Sequence, residues 1–372
     1  MKFAIITNIP HGCENDNYFS YSPYINEMNI WSKYVTEVII VAPLTLKLKS
    51  NLDSFYSHSS QIFQKIDAIN FLNFLSVLKS IVSIPKIIYT LYKNIKNADH
   101  IHIRCPGNIG LLACVVQIFF PNKIKTAKYA GNWDPNAKNP LSYKLQKWIL
   151  SNTFLTKNMQ VLVYGEWKNQ SKNIKSFFTA TYRESEKTVT AKRNLQNEIK
   201  FLFVGMLTTG KNPIYAIKIV EKLRLTSKNV SLNIFGEGIE RHALEKYILL
   251  NNLQDFIFLN GNQNSEILKK TYSESHFMIL PSESEGWPKA VAEAMFWGCL
   301  PISTDVSCIN NMLDNGNRGL LLTKDLSLDV CQIKQLLETE TLYQQKVIDA
   351  VNWSRRYTLN LFEQEIILLL KQ

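Results

Sequence analysis

The fold can be read from Pro281-Ser-Glu-Ser-Glu285-Gly-Trp-Pro-Lys289-Ala-Val-Ala-Glu293-Ala-Met-Phe-Trp-Gly298. The apolar run before it, His276-Phe-Met-Ile-Leu280, predicts a short buried strand. Gly286 and Pro288 mark a turn. Pro288 to Trp297 predicts a helix that stops at Gly298, with proline at its start and glycine just past its end. In an open parallel sheet such a turn lies beyond the carboxyl end of a strand, where ligands bind. Two carboxylates flank it. Glu285 precedes the helix, and Glu293 lies about one and a half turns into it. Backbone N–H groups of Gly286, Trp287 and Lys289 surround the helix start and predict an anion site.

The same beat recurs upstream. Phe201–Val204 is a strand, followed by the loop Gly205-Met-Leu-Thr-Thr-Gly210-Lys211-Asn-Pro213 and a helix to Leu225. Val230–Phe235 is a strand, then Gly236-Glu-Gly238 and a helix to Leu250. Phe256–Leu259, a loop through Gly261 and a helix over Ser265–Tyr272 lead into the opening stretch. Leu300–Thr304 and Gly319–Leu322 are short strands beyond it, and Leu359–Leu370 is a last helix with a broad apolar face. Gly236-Glu-Gly238 lacks the third glycine of a dinucleotide fingerprint. Gly205 and Gly210-Lys211 have the spacing of a P-loop, but Asn212 stands where Ser or Thr is required. Backbone donors and Lys211 can still clamp a diphosphate. An anion at the helix start, with carboxylates accepting from hydroxyls, suits a sugar nucleotide. A capped helix with two solvated glutamates is the plainer alternative.

The first half begins a doubly wound α/β domain. Lys2–Asn8 is a strand, Ser22–Tyr34 a helix and Glu37–Ala42 a buried strand. Phe71–Asn94 is a long helical pattern that Pro85 should kink or split. Its lysines recur at a helical period, which suits a membrane-surface helix as well as a solvated face. Strands follow at His100–Cys105, Lys125–Ala130, Met159–Tyr164 and Ser176–Ala180. His11, Gly12, Asn132 and Asp134 fall in loops at carboxyl ends of strands and are candidates for an acceptor side. His100 and His102 share a strand face without a carboxylate cluster, so a metal role is not expected of them.

The chain has 372 residues, enough for two domains. No run reaches the length of a membrane span, and the N-terminus lacks the pattern of a signal peptide. Six cysteines without C-x-x-C spacing point to a reducing cytosol and away from zinc or disulfides. Charge is uneven. Residues 1–180 hold 20 Lys and Arg against 9 Asp and Glu, whereas residues 181–372 hold 22 against 22. The net charge of +11 therefore lies in the first half, and it implies an anionic partner unless it is simply solvated.

Taken together, the chain resembles the family 4 retaining glycosyltransferases of the GT-B fold, also called glycosyl transferases group 1. The resemblance rests on Phe203-Val-Gly205…Lys211-Asn-Pro213, Ile234-Phe-Gly236-Glu-Gly238, Gly261, Leu280-Pro-Ser282…Glu285-Gly286…Glu293…Gly298-Cys-Leu-Pro301 and Gly319–Leu322. It implies an α/β chain of two Rossmann-like domains facing across a cleft. The first would take the acceptor (1–180), a linker would follow (181–199), and the second would take the donor (200–352). A C-terminal crossover helix (353–372) would pack back toward the first domain. Glu285 and Lys211 would be catalytic, Glu285 against the donor sugar and Lys211 against the leaving diphosphate. Glu293 would hold the ribose. Gly286, Trp287, Lys289, Gly205, Met206, Gly236 and Gly261 would line the donor. Met206 replaces an arginine often found there, with Arg241, Lys289 and Arg318 as possible substitutes. No metal or other cofactor is implied. The partners expected are a nucleotide-sugar donor, UDP- or GDP-linked, a glycan or lipid-linked acceptor of a bacterial envelope, and an anionic membrane surface at the inner face of the plasma membrane. No nucleic-acid-binding module is present. The alternative is a non-catalytic nucleotide-sugar-binding protein of the same fold.

Overall fold

A computed structural model describes residues 1–69, 74–226 and 229–371. Phe71, where the long helical pattern begins, lies outside the described residues. The chain forms two compact units. One is Met1–Phe178 with the chain from Phe362 onward, and the other is Thr179–Leu361.

The first unit runs β1 (Lys2–Ile6), β2 (Gly12–Glu14), β3 (Asn17–Tyr21), α1 (Ser22–Ser32), β4 (Glu37–Pro43), β5 (Asp53–Phe55), β6 (Gln61–Ile66) and α2 (Phe74–Asn97). It continues with β7 (His100–Cys105), α3 (Asn108–Val116), β8 (Ile124–Tyr129), α4 (Leu141–Ser151), β9 (Met159–Tyr164) and β10 (Ile174–Phe177). Seven parallel strands lie in the order β10-β9-β8-β7-β1-β4-β6. The order reverses between β1 and β7, the doubly wound signature. β2, β3 and β5 form a small antiparallel sheet beside it. Strand β6 had no clear sequence signal, because Gln61, Gln64 and Lys65 interrupt its apolar residues at the sheet edge. Pro85 sits inside α2 without splitting it. Its ring is on the exposed side, where water can take the carbonyl it leaves unbonded.

Alternate residues divide the sheet's two faces. Ala4, Ile6, Ile39, Val41, Ile101 and Ile103 join Ile87 and Leu91 of α2, Ala113 of α3 and Leu150 of α4 in one buried cluster. The opposite face is partly polar and packs on α1. Phe3 stacks on Trp31 at 5.6 Å, and Trp31 lies 4.6 Å from the His102 ring. His100 Nε2 and His102 Nδ1 share the Thr126 hydroxyl at 3.0 and 2.8 Å. Beside them, buried Lys128 pairs with Glu27 at 2.9 Å, and Arg104 reaches the same carboxylate at 3.4 Å.

The second unit runs β11 (Ile199–Val204), α5 (Pro213–Leu225), β12 (Val230–Phe235), α6 (Arg241–Leu250), β13 (Ile257–Leu259), α7 (Ser265–Glu274) and β14 (Phe277–Leu280). After these come α8 (Lys289–Phe296), β15 (Leu300–Thr304), α9 (Ile309–Leu313), β16 (Leu320–Leu322), α10 (Leu326–Leu337) and α11 (Glu340–Ser354). Its six parallel strands have the order β13-β12-β11-β14-β15-β16, with the reversal between β11 and β14. Residues 181–199, polar enough to be expected as a linker, belong to this unit. Most of the last helix, α12 (Leu359–Leu370), belongs to the first unit. There Phe362 meets Phe177 at 5.5 Å and covers Lys128 at 5.2 Å, while Glu365 pairs with Lys175 at 2.5 Å.

Burial makes the first unit acid-sensitive. Desolvation lowers the pKa of His11 and His100 from 6.5 to about 4 and holds His102 well below its usual value. The unfolded chain takes up these protons below pH 6.5, while the folded chain refuses them until about pH 4. Stability is therefore full above pH 6.5 and falls as the pH drops from 6.5 toward 4. Melting temperatures across that window should fall with acidification, and the slope should flatten in a His100→Gln/His102→Gln variant. A wild-type melting temperature constant across the window would contradict this.

Candidate functional site

The reversal point of the second sheet brings two loops together. One follows β11 and carries Gly205, Met206, Gly210 and Lys211. The other follows β14 and carries Glu285 and Gly286. The backbone N–H of Glu283 donates to the Gly210 carbonyl at 2.9 Å, joining the loops. Lys211 Nζ then reaches both oxygens of Glu285, at 2.6 and 2.8 Å. Glu285 is only 7 % exposed, whereas the lysine side chain stays within reach of solvent. The second loop is anchored from behind. The Ser303 hydroxyl donates to the Leu280 carbonyl at 2.6 Å, Thr304 donates to the Ser282 carbonyl, and Ser307 donates to the Gly286 carbonyl at 3.1 Å. The predicted catalytic pair is thus one bidentate ion pair.

The loops after β11, β12 and β13 are fused by close backbone approach. A Cβ on Gly236 would lie 1.9 Å from the Gly205 carbonyl oxygen, and one on Gly238 would lie 2.2 Å from that of Leu207. No side chain fits at either position. Gly236 N–H donates to the Gly261 carbonyl at 2.9 Å and Leu207 N–H to that of Glu237 at 2.9 Å, completing the seam. Gly205 differs: a Cβ there would make only ordinary contact, 3.7 Å from the Phe203 ring.

Met206 is 63 % exposed at the position where the family resemblance implies a second cation. Two of its possible substitutes are committed elsewhere. Arg241 pairs with Glu237 at 2.6 Å and Glu245 at 2.8 Å. Arg318 donates to the Asn311 carbonyl at 2.8 Å and lies over the Trp353 ring. Lys289 opens α8 and stands 3.8 Å from Glu293. The Trp287 side chain packs among Trp353 and Tyr357 at 6.3 and 5.8 Å, which leaves its backbone as the part that can face a ligand.

Glu293 is held apart from the Lys211 pair. Thr181 donates its hydroxyl to one carboxylate oxygen at 2.7 Å, and buried Tyr272 donates to the other at 3.2 Å. Desolvation and the nearby Glu293 carboxylate raise the Tyr272 pKa well above normal, so this phenol remains a donor. Neither partner was recognised in the sequence, because Thr181 lies in the polar stretch read as a linker. The same stretch supplies Arg193. Its buried guanidinium donates to the carbonyls of Ser273 (2.6 Å), Tyr272 (3.4 Å), Trp297 (2.8 Å) and Gly298. One side chain therefore closes the carboxyl ends of both α7 and α8, where a cation is favoured.

Two of the acceptor-side candidates, His11 and Gly12, are buried. His11 is fully buried, with Nδ1 on the Ile9 carbonyl at 2.8 Å and Nε2 on the Tyr56 hydroxyl at 2.9 Å, so it braces the loop after β1 and does not line an open surface. Gly12 lies beneath the Phe19 ring, which a Cβ would meet at 2.2 Å. Asn132 and Asp134 remain partly exposed. Asn132 accepts from the Asp134 N–H at 2.9 Å and Asp134 from the Asn136 N–H at 2.8 Å, two successive side-chain turns.

Solved structures with the same architecture include the lipopolysaccharide outer core galactosyltransferase WaaB in its apo form. It superposes with a TM-score of 0.72 at 14% identity, covering 100% of this chain and 99% of that one. Sucrose-phosphate synthase from Thermosynechococcus elongatus gives 0.67 at 15% identity, covering 100% and 98%. The chain has the GT-B glycosyltransferase fold. Residues 185–348 match the family model described as glycosyl transferases group 1, so the second unit carries a domain of that family. Among curated relatives, an uncharacterised glycosyltransferase of Methanocaldococcus jannaschii is 25% identical over 167 residues, 44% of this chain and 41% of its own length. The GDP-mannose:cellobiosyl-diphosphopolyprenol alpha-mannosyltransferase of Xanthomonas oryzae is 24% identical over 126 residues, 33% of each chain. The chain spans less than half the length of either relative.

Arg193 offers a direct test of how this unit is held. Arg193→Ala strands the carbonyls at two helix ends and should cost about 3 kcal/mol or more in urea unfolding. Arg193→Lys should recover only part, because one ammonium lacks the guanidinium's planar fork. Unchanged stability of Arg193→Ala would show that the helix ends need no cap.

Proposed function

We propose that the protein is a retaining glycosyltransferase that uses a nucleoside-diphosphate sugar, UDP- or GDP-linked, without a divalent metal. The acceptor is a glycan or lipid-linked glycan of a bacterial envelope, met at the inner face of the plasma membrane. The observation that carries the reading is the Lys211–Glu285 pair at the reversal point of the second sheet, where open α/β sheets bind ligands. The group 1 match over residues 185–348 supports the enzyme class, and the basic first half supports the membrane setting.

In this reading the bond between the sugar's anomeric carbon and the diphosphate oxygen breaks with its electron pair moving to the phosphate. Lys211 turns from Glu285 to the growing negative charge, and the N-terminal amides of α8 add their dipole. Glu285, released, accepts from the sugar hydroxyls. The acceptor hydroxyl attacks the oxocarbenium-like carbon on the face the phosphate leaves, and its proton passes to that phosphate. Glu293, pre-oriented by Thr181 and Tyr272, holds the ribose hydroxyls.

Incubation with UDP- and GDP-sugars in EDTA should give donor hydrolysis or transfer, with the anomeric configuration retained by NMR. Lys211→Met should lower turnover about 100-fold. Glu285→Gln should abolish turnover yet bind free UDP or GDP about tenfold more tightly, because Lys211 is no longer drawn to a carboxylate. Donor binding without turnover would favour the non-catalytic alternative, for which exposed Met206 speaks. Neither binding nor turnover with any donor would overturn both.

A further inference from the structure

Helices α2, α3 and α4 form one layer on the first sheet, since all three contribute to a single buried cluster with the same alternate strand residues. The outer side of this layer has unusual chemistry. No Asp or Glu occurs in any of the three helices. On α2, Leu78, Ile81, Val82, Tyr89 and Tyr92 form a stripe at helical spacing, with Val82 78% and Tyr89 69% exposed. Lys79, Lys86, Lys93 and Lys96 are exposed around it. On α4, Leu141, Lys144, Leu145 and Trp148 repeat at one-face spacing, with Leu141 82% and Trp148 59% exposed. Among the described residues none of these five lysines makes an ion pair. Asp99, just beyond α2, is occupied by the Lys2 N–H at 2.7 Å.

Isolated exposed apolar residues are ordinary, but aligned ones on two helices of one layer, ringed by unpaired cations, are not. A nucleic acid would match the lysines but gain little from the aliphatic groups of Ile81, Val82 and Leu141. A protein partner would match the apolar stripe but would need a continuous acidic rim. An anionic bilayer matches both. Its acyl boundary takes the aliphatic side chains, its headgroup level takes tryptophan and tyrosine, and its surface charge takes the lysines. None of the described helices is long and apolar enough to cross a membrane, so the contact is superficial.

We infer that the outer face of the α2–α3–α4 layer is a docking surface for an anionic lipid bilayer. The inference deepens the membrane part of the proposed function, but it rests on surface chemistry and not on glycosyl transfer.

The test is flotation of the full chain with vesicles of phosphatidylcholine alone or with 30% phosphatidylglycerol, at low and high salt. Binding should require phosphatidylglycerol and weaken with salt. Each lysine replaced on α2 should lower partitioning about fivefold. Val82→Asp/Tyr89→Asp and Trp148→Asp should abolish binding, while their melting temperatures and nucleotide binding stay at wild-type values, since these side chains are exposed. The inference fails if the wild type ignores anionic vesicles, or if the aspartate variants still bind them. It also fails if light scattering shows a lipid-free dimer that Val82→Asp/Tyr89→Asp dissociates, or if duplex DNA binds in preference to vesicles. Vesicle binding requires no turnover, so loss of the enzymatic reading would leave this result standing.

Discussion

The second unit depends on one constraint: Glu285 is buried, charged and must have a partner. Where strand order reverses, right-handed crossovers send the helices from β11 and β14 to opposite faces, which opens a crevice at the strand ends. The loops there must hold each other. The Glu283–Gly210 backbone bond and the bidentate Lys211–Glu285 pair do so. A carboxylate left unpaired at 7 % exposure would cost several kcal/mol. A ligand that draws Lys211 away must therefore offer Glu285 something in return. A bare diphosphate offers nothing, whereas a diphosphate that carries a sugar offers hydroxyl donors. On the proposed reading, the ion pair makes the site discriminate for the complete donor, through the cost of an unpaired group rather than through added contacts.

The first unit solves the opposite problem, an excess of buried cations. Arg104 and Lys128 are register partners on β7 and β8, and both reach Glu27 on α1. The rings of Tyr164, Phe177 and Phe362 lie 5.4, 5.5 and 5.2 Å from the Lys128 ammonium. Aromatic faces attract a cation that cannot reach water. Phe362 arrives on the last helix, so the final segment of the chain completes the shielding of a charge set in the middle of β8. This gives a physical reason for most of α12 to belong to the first unit.

Much of the fold was legible because it is written in period and punctuation. Val230–Phe235, Met159–Tyr164, Pro213–Leu225 and Leu359–Leu370 have the bounds their sequence predicts. Legibility failed where polar residues do structural work. β6 is an edge strand with Gln and Lys in its body. The site divides the same way. Lys211 and Glu285 stand beside strand ends in glycine-marked loops, so their types and places were visible. Thr181, Arg193 and Tyr272 act across sequence separations of 112, 104 and 21 residues, and nothing local marks them. His11 failed for another reason. Its loop position suggested exposure, but Tyr56, 45 residues away, closes over it.

Met206 then has a definite consequence. Among the described side chains, Arg241 and Arg318 are each fixed by contacts that a phosphate would have to break. Lys289 is different: at 3.8 Å from Glu293 it is loosely held, and it opens the helix whose amides face the loop. If the diphosphate sits at that helix end, the charge an arginine at position 206 would supply from the β11 loop comes instead from the β14 side. Lys211 then neutralises from one loop, and Lys289 with the α8 dipole from the other. The two cations would straddle the phosphate instead of lying on one side of it. Glu293, losing Lys289, keeps the Thr181 and Tyr272 hydroxyls and so stays oriented while the donor binds.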